Sequence, residues 1–292
     1  MVEFVQLTVN GIAIGCIYAL VALGFVLIYK ATETVNFAQG DLMMLGAFIA
    51  YSCIALWGLP YLVGILIAVA VLAAVGTGLD RIVLRPVVGQ PTFAIVMLTI
   101  GIGTMFRAGA SMTPGWGTET YSFATPYSGS TLRFGTVVIA AEHMTIILAT
   151  IGLCAGLFAF FRFTKLGVAM QASSQNQLAA YYMGIPVKTM FSLIWGISAG
   201  VAAVAGILMA PISLVDINMG FIGLKAFPAA VLGGFGSIPG AIVGGLIIGV
   251  IEALAGFYLP AGFKDTAAYI VLLVVLFVRP HGLFGQMARK KV

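Results

Sequence analysis

Six polar side chains lie within or beside long apolar runs: Asn36, Gln39 and Asp41 in NFAQGD, and Lys225, Ser237 and Glu252 in and after KAFPAAVLGGFGSIP. Amide, carboxylate, ammonium and hydroxyl groups in such places can replace the water around a dipolar solute, so they are candidates to line a polar path. Each also has a plainer reading. Asp41 suits the cap of a helix starting at Leu42, its carboxylate accepting free backbone donors. Glu252 could pair with a neighbouring helix, and Asn36 and Gln39 could satisfy internal hydrogen bonds. An intramembrane enzyme is not indicated, because no His pair, Ser/His set or Cys/His set sits at usable spacing. The phosphate-cradling sequence G-x-x-x-x-G-K-[ST] is absent, so ATP hydrolysis must belong to a partner. Cys16, Cys53 and Cys154 fall far apart in apolar runs and read as small hydrophobes. His143 and His281 have no companion at metal spacing, so neither metal nor cofactor is expected.

The elements that must position these groups follow from composition. The 292 residues are 61% hydrophobic and only 8% charged, against about 25% charged in soluble domains. The net charge of +5 comes from dispersed basic residues at segment ends, which fits the positive-inside rule better than nucleic-acid binding. Apolar runs at 7–29, 42–57, 60–79, 92–110, 142–161, 189–212, 240–259 and 266–278 predict spans. The piece 220–239 is too broken by Gly and Pro for a regular span and too apolar for an exposed loop. A discontinuous helix shielded inside the bundle fits it. The expected fold is therefore an all-α integral membrane protein: one permease-like domain over 1–292, with about eight to nine transmembrane helices and broken or re-entrant segments. NFAQGDLMMLGA (36–47) and KAFPAAVLGGFG (225–236) are the paired breaks, a pattern that points to a central path. Gly11 and Gly15 form a G-x-x-x-G pair for close helix approach, and Gly196/Gly200 could offer a small-residue face to a partner.

One stretch, residues 162–188, is polar. Ser174 and Gln177 have capping-box spacing, Gly184 suits a left-handed helix end, and Pro186 prevents continuation. Roughly nine helical residues are expected between them, about 13 Å long. Leu178, Tyr181, Tyr182 and Ile185 recur at i, i+3, i+4 and i+7 and share a face. So short a helix needs a surface to lie on. With this loop in the cytoplasm, 10 of the 14 basic residues (Lys30, Arg81, Arg85, Arg162, Lys165, Lys188, Arg279, Arg289, Lys290 and Lys291) lie inside. Arg107, Arg133, Lys225 and Lys264 then fall outside or at the outer boundary. The N-terminus and the 111–141 loop are external, and the basic tail 279–292 is cytoplasmic.

Leu178-Ala179-Ala180, followed by Gly184, resembles the E-A-A-x-x-x-G loop by which ABC importer permeases dock on their ATPases, with Leu178 in place of the acidic residue. GCIYALVALGFVLIYKATETVNFAQGDLMMLG (15–46) and KAFPAAVLGGFGSIPGAIVGGLIIGVIE (225–252) resemble the opening and closing signatures of the H-type permease subunit of branched-chain amino acid importers. The resemblance implies a type II importer-like half-pore in a bacterial inner membrane. It implies a homologous M-type permease, two ABC ATPase subunits and a periplasmic binding protein as partners, with no cofactor and no nucleic acid. Related permeases serve urea, short amides or other amino acids, and an ion-coupled secondary transporter is the alternative class.

Overall fold

The computed structural model describes residues 2–285 apart from 88, 135–136 and 261, so Arg289, Lys290 and Lys291 lie outside the described residues. Among the described residues, eleven α-helices follow in order: α1 (Val2–Thr32), α2 (Gln39–Tyr51), α3 (Tyr61–Leu79), α4 (Thr92–Met112), α5 (Ala141–Phe163), α6 (Lys165–Gln175), α7 (Gln177–Tyr182), α8 (Val187–Ser213), α9 (Ile222–Gly233), α10 (Ile238–Tyr258) and α11 (Phe263–Val278). A short hairpin, β1 (Thr131–Phe134) with β2 (Val137–Ala140), lies in the long 111–141 connection. Seven helical stretches among the described residues are long and apolar enough to cross a membrane. The eight or nine expected include two shorter pieces, Ile217–Gly233 and the 16-residue α11.

α1, α2 and α8 form the enclosed centre, while α3, α4 and α5 are mostly uncovered by the chain itself. Apolar side chains cannot drive helix association in lipid, so the centre is built from small residues that let backbones touch. A Cβ on Gly249 of α10 would lie 2.3 Å from the Gly15 backbone of α1, and one on Gly11 would meet Val250 at 2.8 Å. Gly46 of α2 packs in the same way on Ala203 of α8. Gly196 and Gly200 face Ala73, Thr77 and Val69 of α3. They therefore serve packing within the chain, not the partner contact that their spacing suggests.

Contacts define the two ends of the bundle. At the α7 end, Ile28, Leu84 and Trp195 cluster, Arg85 donates to the Lys188 carbonyl at 2.9 Å, and Tyr29 meets Phe235. At the far end, Tyr61 bonds Tyr127, Tyr121 pairs with Val215, and Trp116 stacks on Phe48 and donates to Ser52. The 111–141 connection is thus folded down onto the bundle by its aromatic residues.

Two breaks interrupt the helices. Residues 33–38 separate α1 from α2, with Glu33 at φ 54°. Leu214, at φ 63°, ends α8. A 3₁₀ turn, Ile217–Phe221, then leads into α9. The second break thus precedes the expected 225–236, which is helical through Gly233 before turning at Gly234 (φ 94°). The turn makes a helical hairpin in which Gly240 and Gly244 of α10 touch the Gly233 and Ala229 carbonyls. The sequence break reads as Gly/Pro content, whereas the chain uses those small residues to close this hairpin.

Candidate coupling helix and membrane-depth polar groups

The polar loop holds two helices in place of the single one expected. Ser174 lies inside α6 and donates to the Met170 carbonyl, so it does not cap. Asn176 caps instead, its Oδ1 accepting from the Ala179 N–H at 2.9 Å. Gln177 is consequently the first helical residue, and α7 runs six residues, shorter than the nine expected. The asparagine breaks the helix because its own backbone is extended (φ −153°). Thr164 caps α6 likewise, accepting from Gly167. At the other end, the Gly184 N–H donates to the Tyr181 carbonyl at 2.9 Å and the Ile185 N–H to the Ala180 carbonyl at 3.0 Å. This is the paired arrangement of a glycine C-terminus, with Gly184 at φ 79°.

The faces of α7 are unequal. Ala180 is buried, and Ile185 packs with Met170, Met190, Ile194, Phe161 and the α1 residues Leu27 and Ala31. Ala179, Leu178, Tyr181 (71% exposed) and Tyr182 (79%) point outward. A cavity of about 1340 Å³ opens beside them, lined by Thr32, Asp80, Arg85, Gln177, Tyr181 and Trp195 among others. By sequence, Arg85 is only one of the dispersed basic residues at segment ends. In the fold, Asp80 accepts from Ser192 at 2.6 Å and faces Arg85 Nε at 3.5 Å, tying α3 to the start of α8.

The polar groups at depth fall into two clusters. In the first, the Gln39 amide donates to the Ser198 carbonyl at 3.2 Å. The Ser198 hydroxyl lies 3.0 Å from the Gly24 carbonyl and 3.1 Å from Gln39 Oε1. Asn36 accepts from the Ala38 N–H and approaches Gln39 at 3.4 Å. All three side chains are buried. Asp41 does not cap: α2 already begins at Gln39, and Ala38 occupies the cap position with no side-chain bond. The Asp41 carboxylate is instead taken by Arg107 of α4, with Nε to Oδ1 at 2.6 Å and Nη2 to Oδ2 at 3.4 Å. Gly103 and Gly220 make room for it, since a Cβ on either would lie 2.2 or 2.4 Å from a carboxylate oxygen. Arg107 is about 22 Å from the start of α4 and about 8 Å from its end at 1.5 Å per residue, and Gly103, which lies against Asp41, is one turn further in. A charge at the bilayer centre costs roughly 2.5–3.5 kcal/mol on insertion scales, and the Asp41–Arg107 pairing offsets whatever part of that cost applies at this depth. Alternation of spans places Arg107 outside or at the outer boundary, and in the fold it lies five residues inside the end of α4. Its position within an apolar run is the signal in the sequence that points to depth.

In the second cluster Glu252 is buried and accepts from the Tyr18 hydroxyl of α1. Lys225 of α9 reaches Glu252 at 3.3 Å and Asp265 of α11 at 2.5 Å, so four helices meet in one charge network. Ser237 stands apart as the cap of α10, accepting from the Gly240 N–H at 3.1 Å. Of the six polar candidates, the fold therefore brings together Asn36, Gln39 and Asp41, and separately Lys225 and Glu252.

Known proteins are similar to this chain over nearly its full length. LivH of Salmonella typhimurium, named a high-affinity branched-chain amino acid transport system permease protein, is 32% identical over 99% of this chain and 98% of its own. BraD of Pseudomonas aeruginosa, named likewise, is 32% identical over the same shares. A chain of PsaBC from Streptococcus pneumoniae, solved in complex with a Fab, superposes with a TM-score of 0.51, covering 97% of this chain and 94% of that one. At 15% identity it supports the fold alone. The family described as "Branched-chain amino acid transport system / permease component" matches residues 7–279, from the first turns of α1 to the end of α11. A bundle closed by glycine contacts, broken at depth and carrying its polar groups inside belongs to that family of transport permeases.

Proposed function

We propose that the chain is one of two homologous permease subunits of an ABC importer, forming half of a path for leucine, isoleucine and valine. It is powered by two separate ATPase subunits and supplied by a periplasmic binding protein. The observation that carries this reading is the outward face of α7. Large apolar side chains at Leu178, Tyr181 and Tyr182 are exposed on a helix that packs on α6 and α8 and is followed by Ile185, set against a cluster of α1, α6 and α8 residues. Exposed apolar clusters of this kind mark interaction sites, and a groove in an ATPase is the occupant that the family implies. Lys30, Arg81, Arg85, Arg162, Lys165 and Lys188 gather around the α7 end, which favours a cytoplasmic position for it, with the N-terminus periplasmic and the C-terminus cytoplasmic.

Mechanically, ATP binding would draw the ATPases together, and α7 would pass that motion through Met170, Met190 and Ile194 into α1 and α8. Reconstitution in liposomes tests the assignment. Leucine uptake should require ATP, the ATPase subunits and the binding protein together. Proton-driven uptake by this chain alone would replace the reading with a secondary transporter.

A further inference from the structure

The break before α2 and the break before α9 meet at one point. A Cβ on Gly40 would lie 2.1 Å from the Gly220 carbonyl and 2.9 Å from Gly223, so the starts of the two helices touch. Helix starts carry about half a positive charge each. Asp41 and Arg107 cancel one another, so the two helix starts leave the locality favourable to an anion. Asp41 itself is closed off: Arg107 covers both its oxygens, and Gly103 and Gly220 lie against it. Arg107 is not closed off. Its side chain is 26% exposed, and Asp41 occupies only Nε and Nη2. Nη1 has no hydrogen-bond partner among the described residues. The guanidinium also lies over the ring of Phe221, 4.1 Å from its centroid, and Phe221 is itself exposed. About 8 Å inside the end of α4, a guanidinium with a bare edge is better placed against water or protein than against hydrocarbon.

Resting on the reading of the chain as an amino acid permease, we propose that the free edge of Arg107 is a contact point in the translocation path. It takes the carboxylate of the passing zwitterion by charge-assisted hydrogen bonds while Phe221 flanks the apolar side chain. Arg107 suits this role because Asp41 fixes its orientation, leaving a rigid set of donors aimed outward. With the Asp41 carboxylate held by Arg107, the point recognises the acid end of the solute.

The test uses the complete importer, with both permeases, ATPases and binding protein, in proteoliposomes. Arg107→Gln should lower leucine uptake about tenfold or more, the span of a lost charge-assisted bond, and Arg107→Lys should restore part of it. Binding-protein-stimulated ATP hydrolysis should persist in both. A second arm introduces Phe221→Cys into a background whose native cysteines have been replaced. A water-soluble thiosulfonate should modify the new thiol, and leucine turnover should slow the reaction. Wild-type uptake by Arg107→Gln overturns the proposal. So does a thiol at position 221 that resists the reagent in every nucleotide state, which would place this face in lipid or against the second permease. If Arg107→Gln fails to assemble, the Phe221→Cys arm decides. Absence of ATP-driven leucine uptake in the wild type would instead sink the importer reading itself.

Discussion

Removing the positive charge of Lys225 should harm this protein more than removing the negative charge of Asp265, although the lysine touches both Asp265 and Glu252. The reason is where each carboxylate ends up. The Asp265 side chain is 68% exposed, and an exposed pair contributes about 0–1 kcal/mol. The Glu252 side chain is 3% exposed, and after Lys225→Met it keeps only the Tyr18 hydrogen bond. A buried charge left without its partner costs about 3–5 kcal/mol. Glu252→Gln alone should cost about 1 kcal/mol, because the amide oxygen still accepts from Tyr18 and Lys225 still has Asp265. The decisive comparison is the double variant. Lys225→Met with Glu252→Gln removes the stranded charge and should be more stable than Lys225→Met by about 2 kcal/mol or more. Apparent melting of the purified protein, followed by fluorescence-detected size exclusion, gives the order: wild type and Asp265→Ala highest, Glu252→Gln next, the double variant below it, Lys225→Met lowest. If Lys225→Met and the double variant melt together, Glu252 is not held by Lys225, and their contact adds nothing to stability. Leucine uptake should survive Glu252→Gln, and its loss there would move Glu252 from this clasp into the path.

Tyr181→Ala should uncouple ATP hydrolysis from uptake while membrane insertion stays normal. Unchanged, binding-protein-stimulated transport by that variant would count against α7 as the docking element. Gly249→Leu would drive a side chain into the Gly15 backbone and separate α1 from α10, costing about 1–3 kcal/mol. A melting point at or above that of the wild type would contradict the packing. Gly24→Ala places a Cβ 1.8 Å from the Gln39 amide and should expel it from the Ser198 carbonyl, lowering stability by about 1 kcal/mol. Gln39→Leu added to Gly24→Ala should then cost little more, and full additivity of the two would show that they do not interact.

How much of this is legible in the sequence depends on the range of the interaction concerned. The spans are readable because a run of about 20 apolar residues is a local property. Gly184 as a helix end is readable because a left-handed backbone strongly favours glycine. The cap of α7 falls two residues from the position that the sequence suggests, since Ser174 and Asn176 are both good caps and only the extended backbone at Asn176 separates them. Partner choice for charges is not readable. Asp41 meets Arg107 across 66 residues, and Glu252 meets Tyr18 across 234. Spacing along the chain holds no information about such pairs until the helices are packed. Gly196 and Gly200 illustrate the same limit, for a small-residue face is equally ready for an internal neighbour or an external one.

The distribution of rigid and yielding parts bears on how motion at α7 could reach mid-membrane. α1 is in backbone contact with α10 at Gly11, Gly15 and Gly249, and α8 with α3 at Gly76 and Gly196, so each pair should move as a block. The α6–α7 pair grips both blocks at once through Leu27 and Ala31 of α1 and Met190 and Ile194 of α8. A turn further along α8, Ser198 holds Gln39, which lies two residues from Asp41 in the first turn of α2. No regular hydrogen-bonded helix joins α1 to α2 across 33–38, and none joins α8 to the 3₁₀ turn across 214–216. Shear between the α1 and α8 blocks would therefore be taken up at those two breaks, and both breaks end beside Arg107. On the proposed reading, the glycines that stiffen the bundle would confine its deformation to the neighbourhood of Arg107, the contact point proposed for the solute.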